Sequence, residues 1–419
     1  MRSIPARLSV VLLLAVLVGV AGGASPFAPA DTRAANATVD DAVTANNHPP
    51  YVERPPNTTS YLKVSDDSLT ETGYATTGVD VPGSIAFDRE RLAVDIATES
   101  FESRFEDASS ANNRTAAVTA ATAQFEGFVD SAQQRQRTAI RRYSDGEINS
   151  QGLLRTLART HATAIGVEDG IDRVREVGND PLDYGIGGTT DTRLTNIEPE
   201  LVTVSGELRE LFRATAIGQL RTDDPVYIEA SGTDVVVATI LNDNYLRESY
   251  IAGEYNRTFG VEGVGVAQRI QELYTWAYRP ENYVGGSVSL NRVGNTSVWR
   301  SRVTHRQGQF EIHFDANTDG VFKERQTKRL RDAEPLRTQS VVNGSLRLVV
   351  NDTHDTGPME VRLLDAGDGQ PRNGTVFVGG TRVGTTGDDG RLWTVDARGD
   401  SVVRVVTAEE RVSMFVYDS

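Results

Sequence analysis

The chain has 419 residues, 58 of them acidic and 43 basic, for a formal net charge of −15. It has no cysteine, which excludes disulfides, thiolate metal sites, a cysteine nucleophile and a lipoprotein-type anchor. The acidic balance argues against nucleic-acid binding, whose affinity comes largely from phosphate neutralisation, and the length suggests several domains of roughly 100–150 residues each. The N-terminus is read first. Arg2 and Arg7 flank an apolar run, Leu8 to Val20, followed by Ala21-Gly22-Gly23-Ala24. A basic start, a short apolar stretch and small residues form an export signal, expected over 1–24. The run is too short to span a bilayer core of about 30 Å. Membrane attachment is therefore expected only if this segment stays uncleaved.

Residues 25–84 are rich in Pro, Thr, Asn and Asp, with Pro49-Pro50 and Pro55-Pro56 as breakers. They read as a disordered or extended linker, with a short strand at Ser60–Val64. From 85 to 220 the apolar period is helical. One stripe runs Val94, Ala97, Phe101, Phe105; a second Val118, Phe125, Val129, Ala132, Ile140, Tyr143; a third Leu154, Leu157, His161, Ile165, Val174. A fourth helix carries Leu201, Val204, Leu208 and Leu211, with Pro199 in its first turn. Short connections predict a bundle.

From 225 to 332 the period becomes two. Strands are expected at Val226–Glu229, Val235–Leu241, Ser287–Leu290, Ser297–Val303, Gln309–Phe314 and Val321–Gln326, with a helix near Val264–Tyr278. Residues 340–419, after a polar crossing at Ala333–Gln339, alternate apolar and polar residues between Gly-rich turns, as in a β-sandwich of about seven strands. The expected fold class is therefore multidomain α+β: helical bundle, small α+β domain, C-terminal sandwich.

The run Pro371 to Val395, with Thr381-Arg-Val-Gly384 and Asp388-Asp-Gly-Arg-Leu-Trp393, resembles the carboxypeptidase-regulatory, prealbumin-like sandwich. That resemblance implies an accessory or structural module and adds no catalytic residue. Ala139-Ile-Arg-Arg-Tyr-Ser-Asp-Gly-Glu-Ile148, Asn244-Tyr-Leu-Arg-Glu248 and Phe314-Asp-Ala-Asn-Thr-Asp-Gly320 resemble uncharacterised secreted haloarchaeal proteins built of domains of unknown function. Composition points the same way. Only Lys63, Lys323 and Lys328 are lysines; the other basic residues are arginine. A large net charge repels itself in dilute buffer, but at 1 M salt the Debye length is only about 3 Å.

Asp315-Ala-Asn317-Thr-Asp319-Gly320 matches the first half of a calcium loop, with Glu324 or water to complete it. Its twelfth position is Gln326, where an EF-hand carries Glu, and its flanks read as strands. A plain hairpin turn is the favoured account. If Gln307-Gly308 formed the neighbouring turn, His305 would pair with Phe310 and His313 with Arg302, on opposite faces. His48 and His354 fall in polar coil, and His161 reads as a hydrogen-bonded core histidine. Arg398-Gly-Asp400-Ser reads as an inter-strand turn, and Gly263-Val-Gly265 as the start of a helix.

Eight Asn-x-Ser/Thr sequons occur. Asn36, Asn57, Asn113 and Asn351, in polar turns or linkers, are the better candidates for glycan, and Asn373 abuts a strand. No nucleophile, metal or phosphate-loop signature stands out. The primary expectation is a non-catalytic secreted or cell-surface protein of a halophilic archaeon with envelope components as partners. The alternatives are an extracellular hydrolase using acidic residues and a signal-anchored surface sensor.

Overall fold

The structure, a computed structural model, describes residues 52–417 apart from 180–184, 223, 257 and 259–262. The export signal, Asn36 and His48 lie outside the described residues. The part of the expected linker that is described is not a linker. It forms β1 (Val52–Glu53), β2 (Tyr61–Leu62) and β3 (Glu71–Thr76). Tyr61, Leu62 and Val64 are buried. Pro, Thr and Asn content gave the linker reading. The segment is instead held by bonds to residues far along the chain, which composition cannot report. Leu62 N–H donates to Glu324 Oε2 at 2.9 Å, and its carbonyl accepts from Arg247 Nη1 at 2.6 Å.

Helix α1 (Val81–Glu106) starts at an Asp80 cap, α2 (Ala111–Ser144) at Ser110 and α3 (Ser150–Gly178) at Asn149. Each cap side chain accepts a backbone N–H of the first turn, satisfying an otherwise orphaned donor. The three helices pack through residues of the stripes expected of them, Val94 and Phe101, Phe125 and Val129, and Val174 sharing one core, which Val167 and Ile171 of α3 join from outside the expected stripe. Gly170 makes the approach close, since a Cβ there would lie 2.7 Å from Phe125 Cζ. The expected fourth helix is broken. After α4 (Gly188–Thr195) come α5 (Glu198–Val204) and α6 (Glu207–Ala216), separated at Ser205-Gly206.

Strands β4 (Pro225–Ser231), β5 (Asp234–Leu241) and β6 (Asn244–Tyr250) form a meander. Helix α7 (Val266–Leu273) precedes β7 (Tyr283–Arg292), β8 (Val298–His305), β9 (Gly308–Asp315) and β10 (Gly320–Arg329). All join one antiparallel sheet in the order β3-β4-β5-β6-β10-β9-β8-β7. Because β3 precedes α1 and pairs with β4, the helices are an excursion between neighbouring strands. One sheet face packs on them: Val226, Ile228, Val235 and Val237 meet Phe87, Leu154, Leu157 and Phe212. The opposite face packs on β2 and α7, through Leu62, Ile270, Tyr274, Phe310 and Ile312.

The C-terminal module has two four-stranded sheets. One holds β11 (Arg337–Asn343), β12 (Leu346–Asp352), β13 (Pro358–Asp365) and β16 (Arg391–Val395); the other holds β14 (Thr375–Val378), β15 (Thr381–Thr385), β17 (Ser401–Val406) and β18 (Arg411–Val416). Inward Leu348, Val361, Leu363, Val376, Val403 and Val405 fill the space between. The module is seated on the large sheet. Tyr227, Ile240, Tyr245, Leu330 and Val395 form a junction core. Tyr74 Oη donates to the Val395 carbonyl at 2.7 Å and Tyr245 Oη to that of Thr356 at 2.8 Å.

Candidate functional site

A cleft of about 560 Å³ lies between α3, the α5–α6 break and strands β8–β10. Its helical wall is mostly acidic, carrying Glu168, Asp172, Glu198, Glu207 and Glu210 with Arg175 among them; its sheet wall is basic, carrying Arg300, His313 and Arg325. Ile165, Leu201 and Val202 contribute apolar surface. His161 sits at the edge of the α5–α6 break. Its Nδ1 accepts the Gly206 N–H at 3.4 Å, and its Nε2 lies 3.4 Å from Glu210 Oε2. The core-histidine reading fits that geometry: the ring is buried and bonded.

Two glutamates of the helical wall, Glu168 and Glu210, are pushed apart in acidity. Arg213, bonded to both carboxylate oxygens at 2.7 Å, and then His161 hold Glu210 down at about 2. Desolvation first, then Asp172 and Asp169, raise Glu168. Such a split is what an acid and a base sharing a site would need. On the sheet wall His313 is 2 % exposed. Burial lowers it to about 3, so it is a neutral imidazole at physiological pH. Its Nδ1 has no hydrogen-bond partner among the described residues. Arg300 stands opposite it in the ladder, exposed and with no ion pair among the described residues. Arg325 is paired with Glu311.

Below the cleft lies a buried triad. Arg209 Nε and Lys323 Nζ both donate to Glu248 Oε1, at 2.7 and 2.6 Å. Gly206 makes room for it: a Cβ there would lie 1.8 Å from Glu248 Oε2. On the other sheet face Arg247 Nη1 is 3.3 Å from Glu324 Oε1, and Glu324 also accepts from Tyr274 Oη. Lys328 Nζ lies 2.9 Å from His354 Nε2. Sequence reading missed both clusters. The available signal was charge at consecutive strand positions, Arg247-Glu248 and Lys323-Glu324, which in a two-sided buried sheet must face partners on both sides.

The other sequence candidates fall as follows. Asp315, Asn317 and Asp319 form the β9–β10 hairpin turn. Asp315 is buried and accepts N–H groups of Asn256 (2.8 Å) and Asn317 (3.0 Å). Asn317 donates to the Asn256 carbonyl, and Asp319, at φ 57°, pairs with Arg269 at 3.0 Å. Glu324, offered to complete a calcium shell, is instead committed to Leu62, Arg247 and Tyr274. Among the described residues no group of three or more His, Asp or Glu is placed to hold a metal ion.

His305 pairs with Gly308 and His313 with Arg300, so the turn is Arg306-Gln307, one residue earlier than Gln307-Gly308. The faces remain opposite: His305 packs edge-on against Trp276, in the α7 layer. His354 is not in solvated coil; it is 2 % exposed and stacked on Tyr61 at 4.8 Å. Arg398-Gly-Asp400 does turn between β16 and β17, but its arginine is held. Its Nη1 reaches the fully buried Glu229 at 3.2 Å, and Nη2 the Val64 carbonyl at 2.7 Å. Among the sequons, Asn57 is exposed in a turn, and Asn113, also exposed, lies in the first turn of α2 and not in a polar turn or linker. Asn351 lies within β12, not in a polar turn, bonded to Glu360 (2.7 Å) and Thr338 (2.8 Å). Asn373, adjoining β14, is exposed.

No match was found among curated proteins or among solved structures. Three family models do match. A family of unknown function (DUF7094) covers 226–334, and an archaeal fibronectin-III type-like domain covers 337–414. The latter stands where residues 371–395 resemble the carboxypeptidase-regulatory group. Both are antiparallel sandwiches, and a local strand–turn pattern does not separate them. The domain of unknown function (DUF7096) covers 1–221. Since that match takes in more than half of the chain, the protein belongs to the DUF7096 family.

Proposed function

We propose that this is an exported, non-catalytic envelope protein of a halophilic archaeon that binds a surface component in the cleft between the helices and β8–β10. The cleft carries the reading. Arg300 is exposed and has no ion pair among the described residues, and with His313 it borders an open hollow faced by acidic side chains. A mixed donor–acceptor lining of that kind suits a polar ligand such as a glycan or peptide segment. The export signal and the archaeal fibronectin-III-type module support the envelope setting. The lysines support the saline one. All three are buried, so the exposed cations of the described residues are arginines.

Mass spectrometry of the protein from culture supernatant and membrane fractions tests the first half. A mature N-terminus near Ser25 and added mass at Asn57 or Asn113 are expected; a cytosolic chain of unmodified mass overturns it. Retention of 1–24 in the membrane fraction favours the anchored sensor. Glycan and peptide arrays test the second half, with binding lost in Arg300→Glu. The split acidity of Glu168 and Glu210 favours one second reading, hydrolysis. Turnover of chromogenic glycosides, lost in both Glu168→Gln and Glu210→Gln, would move the conclusion there.

A further inference from the structure

Helix α1 has two apolar faces. One is the buried stripe of Phe87, Val94, Phe101 and Phe105. On the other, Ile85, Leu92 and Ile96 are 64, 57 and 57 % exposed. Exposed aliphatics this large, clustered on one helix of an acidic protein, mark an interaction surface. The exposed positions 85, 89, 92, 96, 99 and 103 step by four and three, the spacing of a coiled-coil seam. They read Ile, Arg, Leu, Ile, Glu, Ser.

We infer that this face pairs with the same face of a second copy, antiparallel about a two-fold axis near residue 94. In that register Leu92 meets Ile96 of the second copy, Arg89 meets its Glu99, and Ile85 meets its Ser103. The self-complementarity is specific. A two-fold contact must match a surface to itself, and the seam's only basic residue is then set opposite its only acidic one. Neither Arg89 nor Glu99 has a partner among the described residues, although neighbouring Glu90, Arg91 and Glu102 are paired across α1–α3 with Arg159, Asp169 and Arg173. The seam spans roughly 27 Å at ~1.5 Å per residue. It lies apart from the cleft and from the C-terminal module.

Sedimentation equilibrium of the intact chain in the lowest salt that retains its far-UV helix signal should give a dimer. Ile96→Asp, an exposed site that leaves the fold intact, should weaken association at least tenfold. Arg89→Glu should weaken it, and the swap Arg89→Glu with Glu99→Arg should restore it. A short bis-maleimide should cross-link a mixture of Leu92→Cys and Ile96→Cys chains, which is clean because the native chain has no cysteine. The pair Ile85→Cys and Ile96→Cys should cross-link poorly. A monomer at all concentrations, or dimers indifferent to Ile96→Asp and to the swap, overturns the proposal. So does a monomer whose binding to phosphatidylglycerol vesicles is lost in Ile96→Asp, which would assign the face to lipid.

Discussion

Lys323 and Arg209 share one oxygen of Glu248, and all three side chains are almost wholly inaccessible. Burial alone would raise the Glu248 carboxyl, but Lys323 and Arg209 outweigh it and hold it at about 2. Removing that charge strands two buried cations, so Glu248→Gln should cost about 3–5 kcal/mol in a denaturant titration. The histidines set the acid response. Burial lowers His305 and His313 to about 3 and holds His354 well below its ordinary value, so the folded state carries them neutral. The unfolded chain takes up these protons below about pH 6.5, and stability is lost as pH falls from there toward 3. Glu254 and Asp234, raised by burial to about 7 and 6, act with the opposite sign between pH 4.5 and 7. The loss therefore steepens below about pH 4.5, where Glu210 and Glu248 add to it. Both ring nitrogens of His305 lack a hydrogen-bond partner among the described residues. His305→Phe should leave stability at pH 7 within about 1 kcal/mol and flatten the acid slope by about 1.4 kcal/mol per pH unit.

Helices α1, α2 and α3 were legible because each buries a stripe of period 3.6 and each begins at a capping side chain. The β4–β5 pair was legible from its alternation around Ser231-Gly232. The break between α5 and α6 was not. Apolar residues on both sides continue the helical period, and what stops the helix is Glu248, 42 residues away, which occupies the space a side chain at 206 would need. Gly206→Ala should therefore cost more than the fraction of a kcal/mol that Gly and Ala differ by in helices. About 2 kcal/mol or more is expected, with the Glu248 triad displaced, and thermal unfolding in parallel with Glu248→Gln reads it. β3 and β11 were missed for a related reason: their registers are fixed by β4 and β12, and their own residues are mostly polar. The candidate cleft was illegible throughout, since His161, Arg300 and His313 come from three elements whose adjacency only the sheet order reveals.

At the scale of the molecule, the C-terminal module and the large sheet unfold as a unit only while their junction holds. Arg398 bridges the two, reaching Glu229 on β4 and the Val64 carbonyl. Arg398→Ala leaves Glu229 buried without that cation, and about 3 kcal/mol should be lost. Calorimetry should show the single transition splitting in two, and limited proteolysis should open the crossing between β10 and β11. The docking of β2 has a temporal consequence. Its backbone is held by Arg247, Ser249, Glu324 and Gln326, as many as 266 positions further along the chain. A ribosome delivers those partners only after the helices. Contacts of such separation form slowly, after the costliest loop closure. Until residue 326 has been synthesised these bonds cannot all form, so the segment around β2 docks only after the helices and most of the large sheet exist.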